Sequence, residues 1–120
     1  MHIQIVNFKL KAITRTDYDA LCDQVAPAFA QIPGLISKVW LESDSTNTYG
    51  GVYTWRDRSA MEAFLKSDLF RTVATHPNLT DITSRDFAVQ ERPSAVTAAG
   101  RRLVAARAPR DRGQTAAGTA

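Results

Sequence analysis

Three stretches of this chain, residues 1–10, 35–42 and 48–56, carry apolar side chains on both alternations of an extended strand. A strand of that kind has to be covered on both faces. In the first, Ile3 and Ile5 lie on one register and Val6, Phe8 and Leu10 on the other. In the second, Leu35, Val39 and Leu41 share one face, while Ile36, Lys38, Trp40 and Glu42 share the opposite one. In the third, Gly51, Tyr53 and Trp55 lie on one face, and the pair Gly50-Gly51 suggests either a bulge or a close approach to the backbone. A fourth strand is predicted over 82–90, with Arg85, Phe87 and Val89 on one face.

Only two helical stripes are available as cover. One runs through Tyr18, Leu21, Cys22, Val25, Ala26, Phe29 and Ile32, spaced by three and four residues, with Thr16 as predicted N-cap, Pro27 as an interior interruption and Pro33-Gly34 as the stop. The other runs through Met61, Phe64, Leu65, Leu69 and Phe70. Asp57 or Ser59 caps it, Ser59 with Glu62 fits a capping box, and Ser67-Asp68 divides it. The order β-α-β-β-α-β predicts a ferredoxin-like α+β domain over residues 1–93, a four-stranded antiparallel sheet with helices on one face. The other face stays apolar and uncovered, so a homodimer pairing sheet against sheet is expected.

The charge pattern narrows the partners. Residues 94–120 hold Arg101, Arg102, Arg107, Arg110 and Arg112 against Asp111 alone, a balance of +4. The whole chain carries +3, which leaves −1 for residues 1–93. The folded part therefore has no basic stripe interleaved with aromatics, and no nucleic-acid partner is expected. No stretch approaches the roughly 18 apolar residues of a membrane span, and the start of the chain has no secretory-leader pattern, so the expectation is a cytoplasmic protein without a membrane partner. The tail is read as a basic, Ala/Arg/Gly-rich arm, with a helix over 95–107 and disorder beyond it.

Few side chains here carry chemistry. His2, His76 and Cys22 are too few for a usual His/Cys metal site, and no glycine-rich strand-to-helix loop exists to hold phosphate, so no cofactor is expected. Cys22 sits on an apolar stripe and reads as a small buried hydrophobe. Tyr53, Trp55 and Trp40 offer flat walls with one hydroxyl and two indole N–H groups, as a planar aromatic substrate would need, and Gly51 leaves room beside them. Lys38 pairs with Glu42 or, stripped of water, steadies an enolate oxygen; the pairing is the expectation. His76 is placed to take a proton near neutral pH or simply to shape its turn before Pro77. Arg85 neutralises an oxyanion or pairs with an acidic neighbour, and Asn7 and Tyr18 are further hydrogen-bonding candidates.

The segments Gly34-Leu35-Ile36-Ser37-Lys38-Val39-Trp40-Leu41-Glu42-Ser43 and Gly50-Gly51-Val52-Tyr53-Thr54-Trp55-Arg56-Asp57-Arg58-Ser59-Ala60, with Phe87-Ala88-Val89-Gln90-Glu91-Arg92-Pro93, resemble the YdhR-type mono-oxygenases of the dimeric α+β barrel superfamily. The likeness spans roughly residues 6–93. It implies a homodimer and, from related small enzymes, deprotonation of a phenol or anthrone in an apolar cavity followed by reaction with O₂ without metal, flavin or haem. Those enzymes carry a Trp on the third strand shortly before the second helix, and Trp55 matches that placement. Gly51 and Met61 fall where polar pocket groups would help. The expected function is thus cofactor-independent mono-oxygenation of an aromatic or polyketide-like molecule, with Tyr53, His76 and Arg85 in the chemistry. A cofactor-free isomerase, cyclase or decarboxylase and a non-enzymatic ligand-binding protein are the alternatives.

Overall fold

A computed structural model describes residues 1–98 in two compact units, 1–88 and a second that begins at Val89. In the first, β1 (His2–Leu10), α1 (Arg15–Ala30), β2 (Leu35–Ser43), β3 (Thr48–Trp55), α2 (Arg58–Leu65), α3 (Asp68–Ala74) and β4 (Leu79–Ala88) follow in order. The sheet is antiparallel with strand order β2-β3-β1-β4, the predicted ferredoxin-like arrangement with its second helix in two pieces. In the second unit, α4 covers Glu91–Ala98, so Pro93 lies inside a helix. The predicted helix 95–107 and disordered end fall mostly outside the described residues.

Local chemistry sets the helix boundaries. Thr14, not Thr16, caps α1: its hydroxyl accepts the Asp17 amide at 3.0 Å. Asp57 caps α2 by accepting the Ala60 amide at 2.9 Å, while Ser59 donates to Asp57 and Glu62 pairs with Arg58, so the Ser59–Glu62 capping box does not form. Ser67 divides the second helical stretch as expected, accepting from Phe70 at 3.2 Å and donating to the Phe64 carbonyl at 2.6 Å.

Register determines which side chains meet. Val6 pairs with Gly51, Gln4 with Tyr53 and His2 with Trp55, which puts these residues on the helix-covered face. Lys38 pairs with Tyr53, Trp40 with Gly51 and Glu42 with Tyr49 on that same face. The ladder runs unbroken through Gly50 and Gly51, so no bulge lies there; the irregularities fall between Leu35 and Ser37 and between Asn7 and Lys9. The first of them leaves Leu35 opposite Trp55 and packed against the core, on the face opposite to the predicted one, and leaves Ile36 exposed.

The core between sheet and helices is aromatic, with Tyr18, Phe29, Tyr49, Tyr53, Trp55 and Phe64 all buried. On the other face, Ile3, Ile5, Val39, Leu41, Val52 and Phe87 stand together, with Val39 54% and Phe87 52% exposed.

Candidate active site

Lys38 points inward from an edge strand. Its Nζ lies 3.4 Å from the Trp40 ring centre, 3.5 Å from that of Phe29 and 4.9 Å from that of Tyr53. Phe29 and Trp40 meet edge to face at 5.4 Å, so the amine is boxed by rings from α1, β2 and β3. Gly51 makes the box possible. A Cβ at that position would stand 2.7 Å from Lys38 Cε, where nothing but hydrogen fits. Gly50 answers a different constraint, since its φ is +139° and a Cβ there would meet the Val6 carbonyl oxygen at 1.8 Å.

Lys38 does not pair with Glu42. Arg15 of α1 takes that carboxylate, together with Asp19 at 2.8 Å and Asp44 at 2.6 Å, and its guanidinium lies 5.4 Å from the Tyr49 ring centre. The reason is reach: a planar fork with five donors serves three carboxylates at once, whereas Lys38 is drawn into the aromatic box. Two effects then compete at the amine. The ring faces favour the ammonium by about 0.5–2 kcal/mol. Loss of water acts the other way, and burial pushes Lys38 down from 10.5 to about 7, with Cys22 opposing. Burial also pushes the Tyr53 and Tyr18 hydroxyls and the Cys22 thiol up, so these groups stay protonated near neutrality.

Beside the box a cleft of about 400 Å³ opens between α1 and β2, with Arg15, Tyr18, Cys22 and Ala26 on one side and Trp40 and Glu42 on the other. Trp40 belongs to both features: it walls the cleft, lies over Lys38 and is 36% exposed.

Lys38, Trp40, Tyr53 and Gly51 therefore come together, and Tyr18 lines the adjoining cleft. The other sequence candidates do not join them. Trp55 is fully buried, stacked at 5.7 Å on Tyr53, and its indole N–H donates to Gln4 Oε1 at 3.0 Å. Gln4 in turn donates to Ser84 at 2.9 Å. His76 lies in the turn before β4, at the opposite sheet edge from β2, where its Nδ1 accepts the Asn78 amide at 3.1 Å. Arg85 pairs in register with Ile5 and Asn7 with Gly50, on the sheet face opposite α1, α2 and α3, and Asn7 donates to the Tyr49 carbonyl at 3.3 Å.

The residues missed from sequence are Phe29, the inner wall of the box, and Arg15, which frees Lys38 from Glu42. Phe29 was readable only as one apolar position of a stripe. A signal for the box did exist, because glycine opposite a tryptophan leaves space beside it for a neighbouring long side chain.

Residues 3–100 match the family described as "Putative mono-oxygenase ydhR". The chain belongs to this family. Solved structures agree on the fold of this ydhR-family protein. An antibiotic biosynthesis monooxygenase from Deinococcus radiodurans, so described with the qualifier "putative", has TM-score 0.63 and 20% identity over 76% of this chain and 94% of that one. SnoaB, a cofactor-independent oxygenase from Streptomyces nogalater, has TM-score 0.59 and 22% identity over 75% and 94%. The haem degrader MhuD from Mycobacterium tuberculosis has TM-score 0.60 and 19% identity over 75% and 96%. No curated protein matches by sequence. Among the described residues, no group of three or more His, Cys, Asp or Glu side chains is placed to hold a metal ion, and no helix is long and apolar enough to cross a membrane.

Proposed function

We propose that this ydhR-family chain is a cofactor-independent mono-oxygenase that oxidises an aromatic or polyketide-like small molecule in the α1–β2 cleft, acting as a cytoplasmic homodimer. The observation that carries the reading is the desolvated, aromatic-boxed Lys38 beside a cleft walled by Trp40 and Tyr18. Family membership supports it, and so does the size of the cleft, which suits a small ring system.

The chemistry needs a base and a place for negative charge. With its free amine available near neutral pH, Lys38 takes a proton from the acidic carbon or phenol of the substrate, and the resulting ammonium pairs with the enolate oxygen. The carbanion then gives its electrons to O₂. For a CH₂ group between two rings, four electrons leave the carbon. One oxygen atom becomes the new carbonyl and the other leaves as water, so the balance closes without an added reductant. Tyr53, still protonated, is within reach of the same box and donates to the developing oxyanion. His76, the base first suggested by the sequence, and Arg85, the suggested partner of an oxyanion, have no part in this reading because they sit elsewhere in the fold.

Oxygen uptake by metal-free protein with a panel of anthrones and hydroquinones tests the proposal. One O₂ consumed per substrate, with strong loss in Lys38→Met, is expected. Turnover that continues without oxygen would instead mark an isomerase, cyclase or decarboxylase.

A second reading is favoured by one observation: Tyr53 and Trp55 are packed into a filled core instead of lining open space. On that reading the cleft binds a small aromatic ligand without turning it over. Saturable binding with no oxygen uptake across the panel would support it.

A further inference from the structure

The boxed amine has a second capacity that does not depend on oxygen. Among the described residues Lys38 Nζ has no ion pair and no hydrogen-bond acceptor. The titratable or charged groups that face it or the adjoining cleft are Arg15, Tyr18, Asp19, Cys22 and Asp23 from α1, Glu42 from its own strand and Tyr53 from β3. None is a carboxylate within ion-pairing distance of the amine. An amine held by rings, with no counter-ion and a cleft next to it, has the surroundings of a nucleophile.

We propose that Lys38 is an imine-forming amine and that the α1–β2 cleft admits small aldehydes or ketones to it past the Trp40 ring. The lone pair of Nζ attacks the carbonyl carbon, a C–N bond forms, and the π electrons move to oxygen. A proton passes from nitrogen to that oxygen to give the carbinolamine, and the hydroxyl then leaves with a proton as water. One C=O bond is exchanged for one C=N bond and one water is released, with no oxidant or reductant. A 1,3-diketone follows the same balance. Its imine loses a proton from the central carbon and gains one on nitrogen, giving a conjugated enaminone that absorbs in the near ultraviolet.

The geometry makes this selective. Lys9, Lys11, Lys38 and Lys66 are the lysines of the chain, and Lys9 already donates to the Thr46 carbonyl and the Thr48 hydroxyl. Lys11 and Lys66 are exposed. An exposed amine is almost wholly protonated at pH 7 and so is a poor nucleophile. Lys38, lowered to about 7, has about half of its molecules in the free form there.

The test is to incubate the full chain with pentane-2,4-dione under nitrogen and map the modified lysines by mass spectrometry. Lys38 is expected to gain the diketone less one water roughly tenfold faster than the other three lysines at pH 7. Its rate should level off once the pH passes about 7. Trp40→Ala should speed the reaction by opening the box to the cleft. Gly51→Ala, whose new methyl would crowd Lys38 Cε, should slow it. The proposal is overturned if Lys38 of the native chain reacts no faster than Lys9, Lys11 and Lys66, and the cleft is excluded as the route if Trp40→Ala brings no acceleration. Because oxygen is absent throughout, failure here and failure of the mono-oxygenase reading are separate results.

Discussion

Burying an amine among rings ties stability to pH, and the sign follows from the direction of the shift at Lys38. Its folded value lies below its unfolded one, so the unfolded chain binds more protons between about 7 and 10.5. Below about 7 the folded protein carries the full cost of the buried ammonium, and that cost is relieved as the pH rises through the window. Replacing Lys38 with Met keeps an unbranched stem in the box and removes the charge. Lys38→Met should therefore be more stable than the native protein at pH 6, and the advantage should shrink by on the order of 1–2 kcal/mol by pH 8.5. Urea unfolding at both pH values measures this. An advantage that stays constant would mean that Lys38 titrates normally. Cys22, Tyr18 and Tyr53, all pushed up by burial, lower the stability only as the pH rises through their ordinary values of 9.0 for the thiol and 10.0 for the phenols, above the interval from pH 6 to 8.5 in which the two proteins are compared.

At the scale of elements, α1 carries most of what the box and cleft need: Phe29, Cys22, Tyr18 and Arg15 all stand on it. Its start depends on the Thr14 hydroxyl bonded to the Asp17 amide. Thr14→Ala should cost about 1 kcal/mol in denaturant unfolding, with an unchanged m value. Thr16→Ala, at the cap position predicted from sequence, should change stability by less than about 0.5 kcal/mol because that side chain is exposed and caps nothing. Equal effects at both positions would reject the assignment. The contrast shows what was legible in the sequence. Strand and helix periods are local, so all four strands, both helical stretches and the break at Ser67 could be read directly. The register shift between Leu35 and Ser37 is a backbone event with no side-chain signature, and it moved Leu35 to the helix-covered face. The expected Lys38–Glu42 pair failed for a tertiary reason. Arg15, 27 positions before Glu42, becomes its partner only when α1 docks on the sheet. Trp40, Tyr53 and Gly51 were recognised as neighbours of a site, yet their convergence on Lys38 needed the register of β2 against β3 and the docking of Phe29 from α1.

For the molecule as a whole, the sequence signal of strands apolar on both faces has its counterpart in the sheet face opposite α1, α2 and α3, which bears Ile3, Ile5, Val39, Leu41, Val52 and Phe87. Val39 and Phe87 each expose more than half of their surface. A monomer rarely presents a contiguous apolar area of several hundred Å², and a face of this kind complements a second copy of itself. A carboxylate buried in such a contact would cost several kcal/mol, and a two-fold arrangement counts each substitution twice. Val39→Glu and Phe87→Glu together should thus turn a dimer into a monomer in sedimentation velocity at micromolar concentration. The far-ultraviolet circular dichroism should stay unchanged, because neither side chain packs in the core beneath the helices. The boxed Lys38 faces the other side of the sheet, so its selective labelling should survive in the dissociated chain. A native protein already monomeric at those concentrations would remove the dimer and leave this apolar face to be explained by a different partner.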